Sequence, residues 1–158
     1  MLAMASAAAL AGCGFQLRGQ ATYAFESVYV NAPAYPPFAA ELRRTLSGAG
    51  SARLVEDPEK AQAIVDIASI VDDKQVLSLS PGGRVQEYAL AKVVVFKVRD
   101  REGREWLKQD EIVVRRTYSY DDTERLAREI QEQRLQKDMQ TDAVLQIVRR
   151  LQVARSPT

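Results

Sequence analysis

The stretch from Val85 to Tyr118 restricts the fold of this chain more than any other. From Val85 to Arg99 side chains alternate: Tyr88, Leu90, Val94, Phe96 and Val98 share one face, while Glu87, Ala89, Ala91, Val93, Val95 and Lys97 share the other. Lys92 is the one charge in the first set. Successive side chains of a strand project to opposite faces, so this strand has an apolar face that must be covered. Asp100-Arg101-Glu102-Gly103 then supplies a hairpin turn with Gly near its end, and Arg104 to Tyr118 returns as a strand.

The residues before this hairpin extend the sheet. Ala63 to Val71 is rich in β-branched residues and bounded by Asp57-Pro58 and Asp72-Asp73; extended structure continues through Lys74 to Leu79, and Ser80-Pro81-Gly82-Gly83 forms a turn. Three consecutive strands therefore make an antiparallel meander. Ahead of them, Ala24 to Asn31 is a first strand, with Phe25, Ser27 and Tyr29 alternating with Glu26, Val28 and Val30. Pro37 suits the first turn of a helix, and Phe38, Leu42 and Leu46 at four-residue steps place an apolar stripe on it before Gly48 and Gly50 stop it. If the first two strands are parallel neighbours, this helix is a right-handed crossover.

The chain closes with a long helix. Asp121 and Glu124 have capping-box spacing. Leu126 and Ile130 open its stripe; Leu135, Met139, Ala143, Ile147 and Leu151 continue it, widened by Val144 and Val148. The five-residue step from Ile130 to Leu135 implies a bend, or a first turn that packs separately. Arg149 and Arg150 suit the negative end of the helix dipole, and residues 154–158 form a flexible tail. The sum is an α+β fold in the order β-α-β-β-β-α: a four-stranded mixed sheet with two α-helices packed on one face. The opposite face mixes small, aliphatic and charged residues, so it meets water or a partner.

Composition removes several chemistries. The chain has no His and one Cys, so a Ser-His-Asp triad, a Cys-His pair, a Cys- or His-rich zinc site and an intrachain disulfide are all excluded. A net charge of +1 without a long basic block argues against nucleic acid as the main partner. No metal or cofactor is implied. Carboxylate chemistry by Asp66, Asp110 and Glu111 is the enzymatic alternative, but strand-borne acids show no convergent partner in the sequence.

Residues 1–12 carry no charge and end in small residues before the lone thiol, as Leu10-Ala11-Gly12-Cys13. The run has the length of a secretory h-region and is too short to span a bilayer. It resembles the lipobox of bacterial lipoproteins, in which the Cys is acylated after cleavage before it. Residues 1–12 are then a lipoprotein signal peptide, 13–22 a lipidated tether and 13–158 one domain, with Cys13 as the lipidation site. Two or more acyl chains make such a tether durable where one does not. The Lys or Arg of a usual n-region is missing, the first charge being Arg18. The competing reading is a buried N-terminus with Cys13 as a small core residue.

Cys13-Gly14-Phe15-Gln16-Leu17-Arg18 with the preceding Ala11-Gly12 resembles the mature start of the LptE family of LPS-assembly lipoproteins. Leu42-Arg43-Arg44-Thr45-Leu46, Glu87-Tyr88, Arg116-Thr117-Tyr118, Lys137-Asp138-Met139 and Arg149-Arg150-Leu151 follow in the family's order. The resemblance implies a non-enzymatic outer-membrane lipoprotein on the periplasmic side that plugs and helps assemble the LptD β-barrel and binds lipopolysaccharide (LPS). It also implies that LPS phosphates are met by Arg128, in Leu126-Ala127-Arg128, and by Arg84 in the loop after the second strand; Arg115 and Arg116, at the end of the fourth strand, are further candidates for the same patch. A solvated helix face for Arg128 and a plain turn for Arg84 are the ordinary alternatives. A periplasmic lipid-binding lipoprotein outside any barrel is the other functional reading.

Overall fold

Three long strands, β3 (Ala63–Leu79), β4 (Val85–Arg99) and β5 (Glu105–Ser119), form the antiparallel meander in the computed structural model, which describes residues 22–119 and 125–156. The expected signal peptide (residues 1–12), the expected lipidation site Cys13 and the capping box expected at Asp121 and Glu124 lie outside the described residues. Both hairpins close through the same turn. Ser80 N–H donates to Arg84 O (2.7 Å) and Gly83 N–H to Ser80 O (2.9 Å); in the second turn Asp100 N–H donates to Arg104 O (2.9 Å) and Gly103 N–H to Asp100 O (3.3 Å). Gly83 and Gly103 have φ of 77° and 87°, the left-handed conformation in which a three-residue hairpin loop ends and which glycine adopts without a Cβ penalty.

The first half of the chain adds a parallel pair. β1 (Ser27–Asn31) pairs in parallel with β3 on one side and with a two-residue strand, β2 (Arg53–Leu54), on the other. The sheet is therefore five-stranded, in the order β2-β1-β3-β4-β5, and the expectation of four strands is corrected. Two residues cannot display an alternating pattern; β2 exists because Arg53 N–H and Val55 N–H reach Glu26 O and Val28 O at 2.8 and 3.0 Å.

Two helices cover one face. α1 (Pro36–Ala49) buries Phe38, Ala39, Leu42 and Leu46. α2 (Arg125–Val153) buries Met139, Ala143, Val144, Ile147, Val148 and Leu151. They join one core with Val28, Val30, Val65, Leu90, Val94, Phe96, Val98, Ile112 and Val114, and removal of this apolar surface from water drives the assembly. The helices are also tied to each other, because Glu41 accepts from Gln140 Nε2 and Thr141 Oγ1, both at 2.6 Å.

An irregularity in β3 decides what else enters that face. The register opposite β4 shifts between Ile67 and Ser69, so one extra residue, Ala68, reverses the alternation. Before it Val65 and Ile67 share the helix-covered face with Val98 and Phe96; after it Ile70, Asp72 and Lys74 share it with Val94, Lys92 and Leu90. Lys92 is buried on that face by the alternation of β4 itself, and its ammonium donates to Asp72, which the extra residue in β3 brings opposite.

The stripe of α2 also departs from its sequence pattern. Ile130 is exposed, and the inward line beyond Met139 and Leu135 continues through half-buried Glu132 to buried Arg128. These positions follow the three- and four-residue steps of a continuous helix, so the five-residue step marks a change from apolar to polar. At the other end Ala154, assigned from sequence to the flexible tail, is buried and its N–H donates to Arg150 O (3.1 Å). The helix-free sheet face carries exposed Val71 and Arg115 with half-buried Ala91, Val93, Val95 and Val113.

Candidate functional site

The polar end of α2 packs against the end of the sheet where β3 turns into β4. Tyr88 and Tyr118 are cross-strand neighbours on the helix-covered face, and their rings stack with centroids 5.6 Å apart. Lys74 Nζ lies 4.3 Å from the Tyr88 centroid and 5.7 Å from that of Tyr118, within cation–π range. One oxygen of Glu132 accepts from Lys74 Nζ at 2.5 Å and from the Tyr118 hydroxyl at 2.6 Å. The cluster therefore joins β3, β4 and β5 to α2 one turn beyond Arg128.

Its electrostatics are mutually reinforcing. Burial is the largest influence on Lys74 and favours the neutral amine, but the hydrogen bonds to Glu132 and Tyr118 outweigh it and raise its pKa above the ordinary value. Burial likewise favours the neutral acid of Glu132, yet the bonds from Lys74 and Tyr118 prevail and lower its pKa. Tyr118 is pushed up, first by burial and then by its bond to Glu132. All of these shifts hold Lys74 as a cation and Glu132 as an anion at neutral pH.

Beyond this cluster the β3–β4 hairpin carries an apolar tip. Val76, Leu77 and Leu79 are 50, 54 and 57% exposed, and Arg84 is exposed at the turn. The turn is held by the Ser80 hydroxyl, which accepts from Arg84 N–H at 3.1 Å. Large aliphatic side chains grouped in water are suited to an apolar or amphiphilic partner. A cation at the same tip adds affinity for an anionic group.

The four arginines singled out from sequence are thus divided. Arg84 stands at the hairpin turn and Arg128 is 8% exposed beneath the first turns of α2, at the same end of the sheet. Arg115 and Arg116 do not make one patch with them: neighbours on a strand project to opposite faces. Arg115 lies on the helix-free face, and Arg116 on the covered face donates through Nη2 to Asp142 and through Nη1 to its neighbour's carbonyl, Arg115 O, at 2.8 Å. Sequence reasoning missed Lys74, Tyr88, Tyr118 and Glu132 as a unit. Their juxtaposition depends on the Ala68 bulge, and nothing in the local pattern marks it.

The three acids of the enzymatic alternative are dispersed. Asp66 accepts from Asn31 Nδ2 (2.6 Å) and Arg99 Nε (2.7 Å), using both oxygens structurally. Asp110 pairs with Arg150 at 3.3 Å and lies on the helix-covered face, whereas Glu111 is exposed on the other. Among the described residues no group of three candidate ligands is placed to hold a metal ion, and no helix is long and apolar enough to cross a membrane.

A mixed five-stranded sheet with two helices on one face and an apolar, basic hairpin end defines a two-layer α+β domain. The chain belongs to the LptE family, described as lipopolysaccharide-assembly, whose model matches residues 25–151. It is similar to the solution structure of uncharacterized lipoprotein B from Nitrosomonas europaea, with 39% identity, 86% of this chain and 88% of that chain covered, and a TM-score of 0.75. The minor lipoprotein of Acinetobacter baumannii (21% identity, 83 and 93% covered, TM-score 0.68) and rare lipoprotein B of Shewanella oneidensis (24%, 78 and 91%, 0.65) share the fold. A search of curated proteins finds no match.

Proposed function

We propose that this chain is an outer-membrane lipoprotein, tethered through acylated Cys13 on the periplasmic side, that plugs and helps assemble an LptD-like β-barrel and binds LPS. The observation that carries the LPS part is the grouping of Arg84, Arg128 and the apolar Val76-Leu77-Leu79 tip at one end of the sheet. An LPS molecule presents phosphates beside acyl chains, and this end offers a counterpart to each. Arg84 and Arg128 meet phosphates, and Arg116 supports the same end through Asp142. The helix-free face, with Arg115 among aliphatic residues, is the mixed surface that the polar lumen of a barrel accepts.

Extraction of outer membranes in mild detergent tests the barrel part: the chain brings down a large β-barrel protein. Recovery as a free monomer at full yield rejects the plug and favours a lipid-binding lipoprotein working outside a barrel. Mass spectrometry of the mature protein finds diacylglycerol and a further acyl chain on Cys13. An unmodified thiol rejects the tether.

A further inference from the structure

Among the described residues β5 is the outermost strand on its side of the sheet, and the opposite edge is only the two-residue β2. From Asp110 to Ser119 the pairing of β5 with β4 runs without a register shift, and the stretch has no Pro, Gly or bulge to blunt it. A long regular edge of this kind is a template for another strand.

The hydrogen bonds show which backbone groups face outward. Asp100 N–H donates to Arg104 O, so the even residues of adjoining β4 turn toward β5; their partners Asp110, Ile112, Val114, Arg116 and Tyr118 turn back toward them. The odd residues of β5 therefore point to the open edge. Two of these outward groups are closed only by the side chain next door: Glu111 N–H donates to Asp110 Oδ1 (2.9 Å), and Arg115 O accepts from Arg116 Nη1 (2.8 Å). Val113 lies midway between them.

The charges along this edge mirror one another about Val113. In Asp110-Glu111-Ile112-Val113-Val114-Arg115-Arg116 two acids stand as far before Val113 as two bases stand after it. Glu111 and Arg115 are exposed on the helix-free face, and neither has an ion-pair partner among the described residues. On the covered face Asp110 pairs with Arg150 of α2 and Arg116 with Asp142, so the helix edge carries the reverse polarity above the strand. A strand with this pattern, laid antiparallel on its own copy, meets a base wherever it presents an acid.

We infer that β5 pairs antiparallel with β5 of a second copy of this chain, about a two-fold axis at Val113. Glu111 then lies opposite Arg115 of the second copy, Arg115 opposite its Glu111, and Val113 opposite its own equivalent. These outward residues exchange about six backbone hydrogen bonds. Asp110 comes opposite Arg116 of the second copy, so each releases the edge group it closes to the new strand and gains a cross-strand ion pair. A parallel arrangement would set Glu111 on Glu111 and Arg115 on Arg115, and like charges directly opposite are destabilising. The contact is isologous, the same patch serving both subunits, and it closes as a dimer. It describes the chain outside a barrel and rests on neither the plug nor the LPS reading; its failure leaves Arg84 and Arg128 untouched.

Sedimentation equilibrium of the full chain in mild detergent, with micelles in large excess over protein, tests this. The chain is a dimer at about 100 μM and dissociates on dilution to about 1 μM. Glu111→Arg and Arg115→Glu each set like charges opposite one another at both ends of the interface, and each weakens dimerisation about tenfold. Combining both substitutions in one chain restores the dimer, and so does an equimolar mixture of the two single variants. Val113→Pro removes the central donor where the N–H faces away from β4, a position at which an edge strand tolerates proline, and abolishes the dimer. A wild-type chain that stays monomeric throughout overturns the inference. So does a dimer that the single charge variants leave intact, or one that neither the double variant nor the mixture restores. The charge variants, both at exposed positions, decide this even if Val113→Pro folds poorly.

Discussion

Lys92 and Asp72 face each other across β4 and β3, and the Lys92 side chain, 5% exposed, has its ammonium bonded to an Asp72 side chain that is 50% exposed. A lysine on the covered face of a sheet is tolerable only with such a partner, since an unpaired buried charge is among the costliest defects a core can hold. The bulge at Ala68 is what brings Asp72 round to that face.

Asp72→Ala should therefore lower the unfolding free energy by about 1–2 kcal/mol, below the cost of a wholly buried pair because the carboxylate is half in water. Lys92→Met replaces the charge with an apolar chain of similar length, and should cost less than about 1 kcal/mol or stabilise. Adding it to Asp72→Ala restores most of the loss. Urea melts of the two single variants and the double measure this; additive losses would mean that the two residues act independently.

The Lys74–Glu132 pair sets a pH window. Glu132 has a folded pKa below its ordinary 4.5, so its contribution is present above that value and is lost as pH falls through the folded pKa. Lys74 has a folded pKa above its ordinary 10.5, so its contribution is full below that value and is lost as pH rises through the folded pKa. The stability gap between wild type and Glu132→Gln is accordingly constant across the neutral range and closes in acid below 4.5. Urea midpoints of both proteins from pH 7 downwards check the sign; a gap that widens in acid contradicts it.

Periodicity sufficed where an element was long and one-sided. β4, β5 and the Met139–Leu151 part of α2 stand where alternation and four-residue steps place them, within a residue at the ends. It failed where structure came from one hydrogen bond or one extra residue. β2 is two residues held by β1, and the reversal of alternation after Ala68 has no local signature because both faces of β3 are partly apolar. Ile130 was misassigned for a related reason: α2 keeps its helical phase while its inward line turns polar at Glu132 and Arg128, and a hydrophobic pattern cannot follow that. The same blindness hid the Tyr88–Tyr118–Lys74–Glu132 cluster, although two of the arginines proposed for the site lie beside it at one end of the sheet.

That difference between pattern and packing can be measured on two apolar residues. Phe96 is fully buried between the sheet and the helices, whereas Ile130 is 53% exposed. Phe96→Ala should cost about 3–5 kcal/mol through lost transfer energy and the cavity left behind. Ile130→Ala should change stability by less than about 0.5 kcal/mol, because the side chain is largely in water already and alanine favours the helix. A large loss at Ile130 would put it back in the core stripe.

The arginines can be separated by what each substitution does to LPS binding and to the fold. Arg84 is exposed at the hairpin turn, so Arg84→Glu replaces an attractive charge with a repulsive one at no cost in packing. It should weaken LPS binding about three- to tenfold at low ionic strength, an effect that shrinks as salt screens the phosphate contact, with an unchanged thermal midpoint. Arg128 is buried under α2, so Arg128→Glu should weaken binding and also lower the midpoint, since a carboxylate placed there loses the surroundings built for a guanidinium. Arg115 lies on the helix-free face, and Arg115→Glu should leave LPS binding unchanged while reducing recovery of the barrel partner. Equal losses of LPS binding in all three variants would mean that net charge, and not the hairpin end of the sheet, determines the interaction.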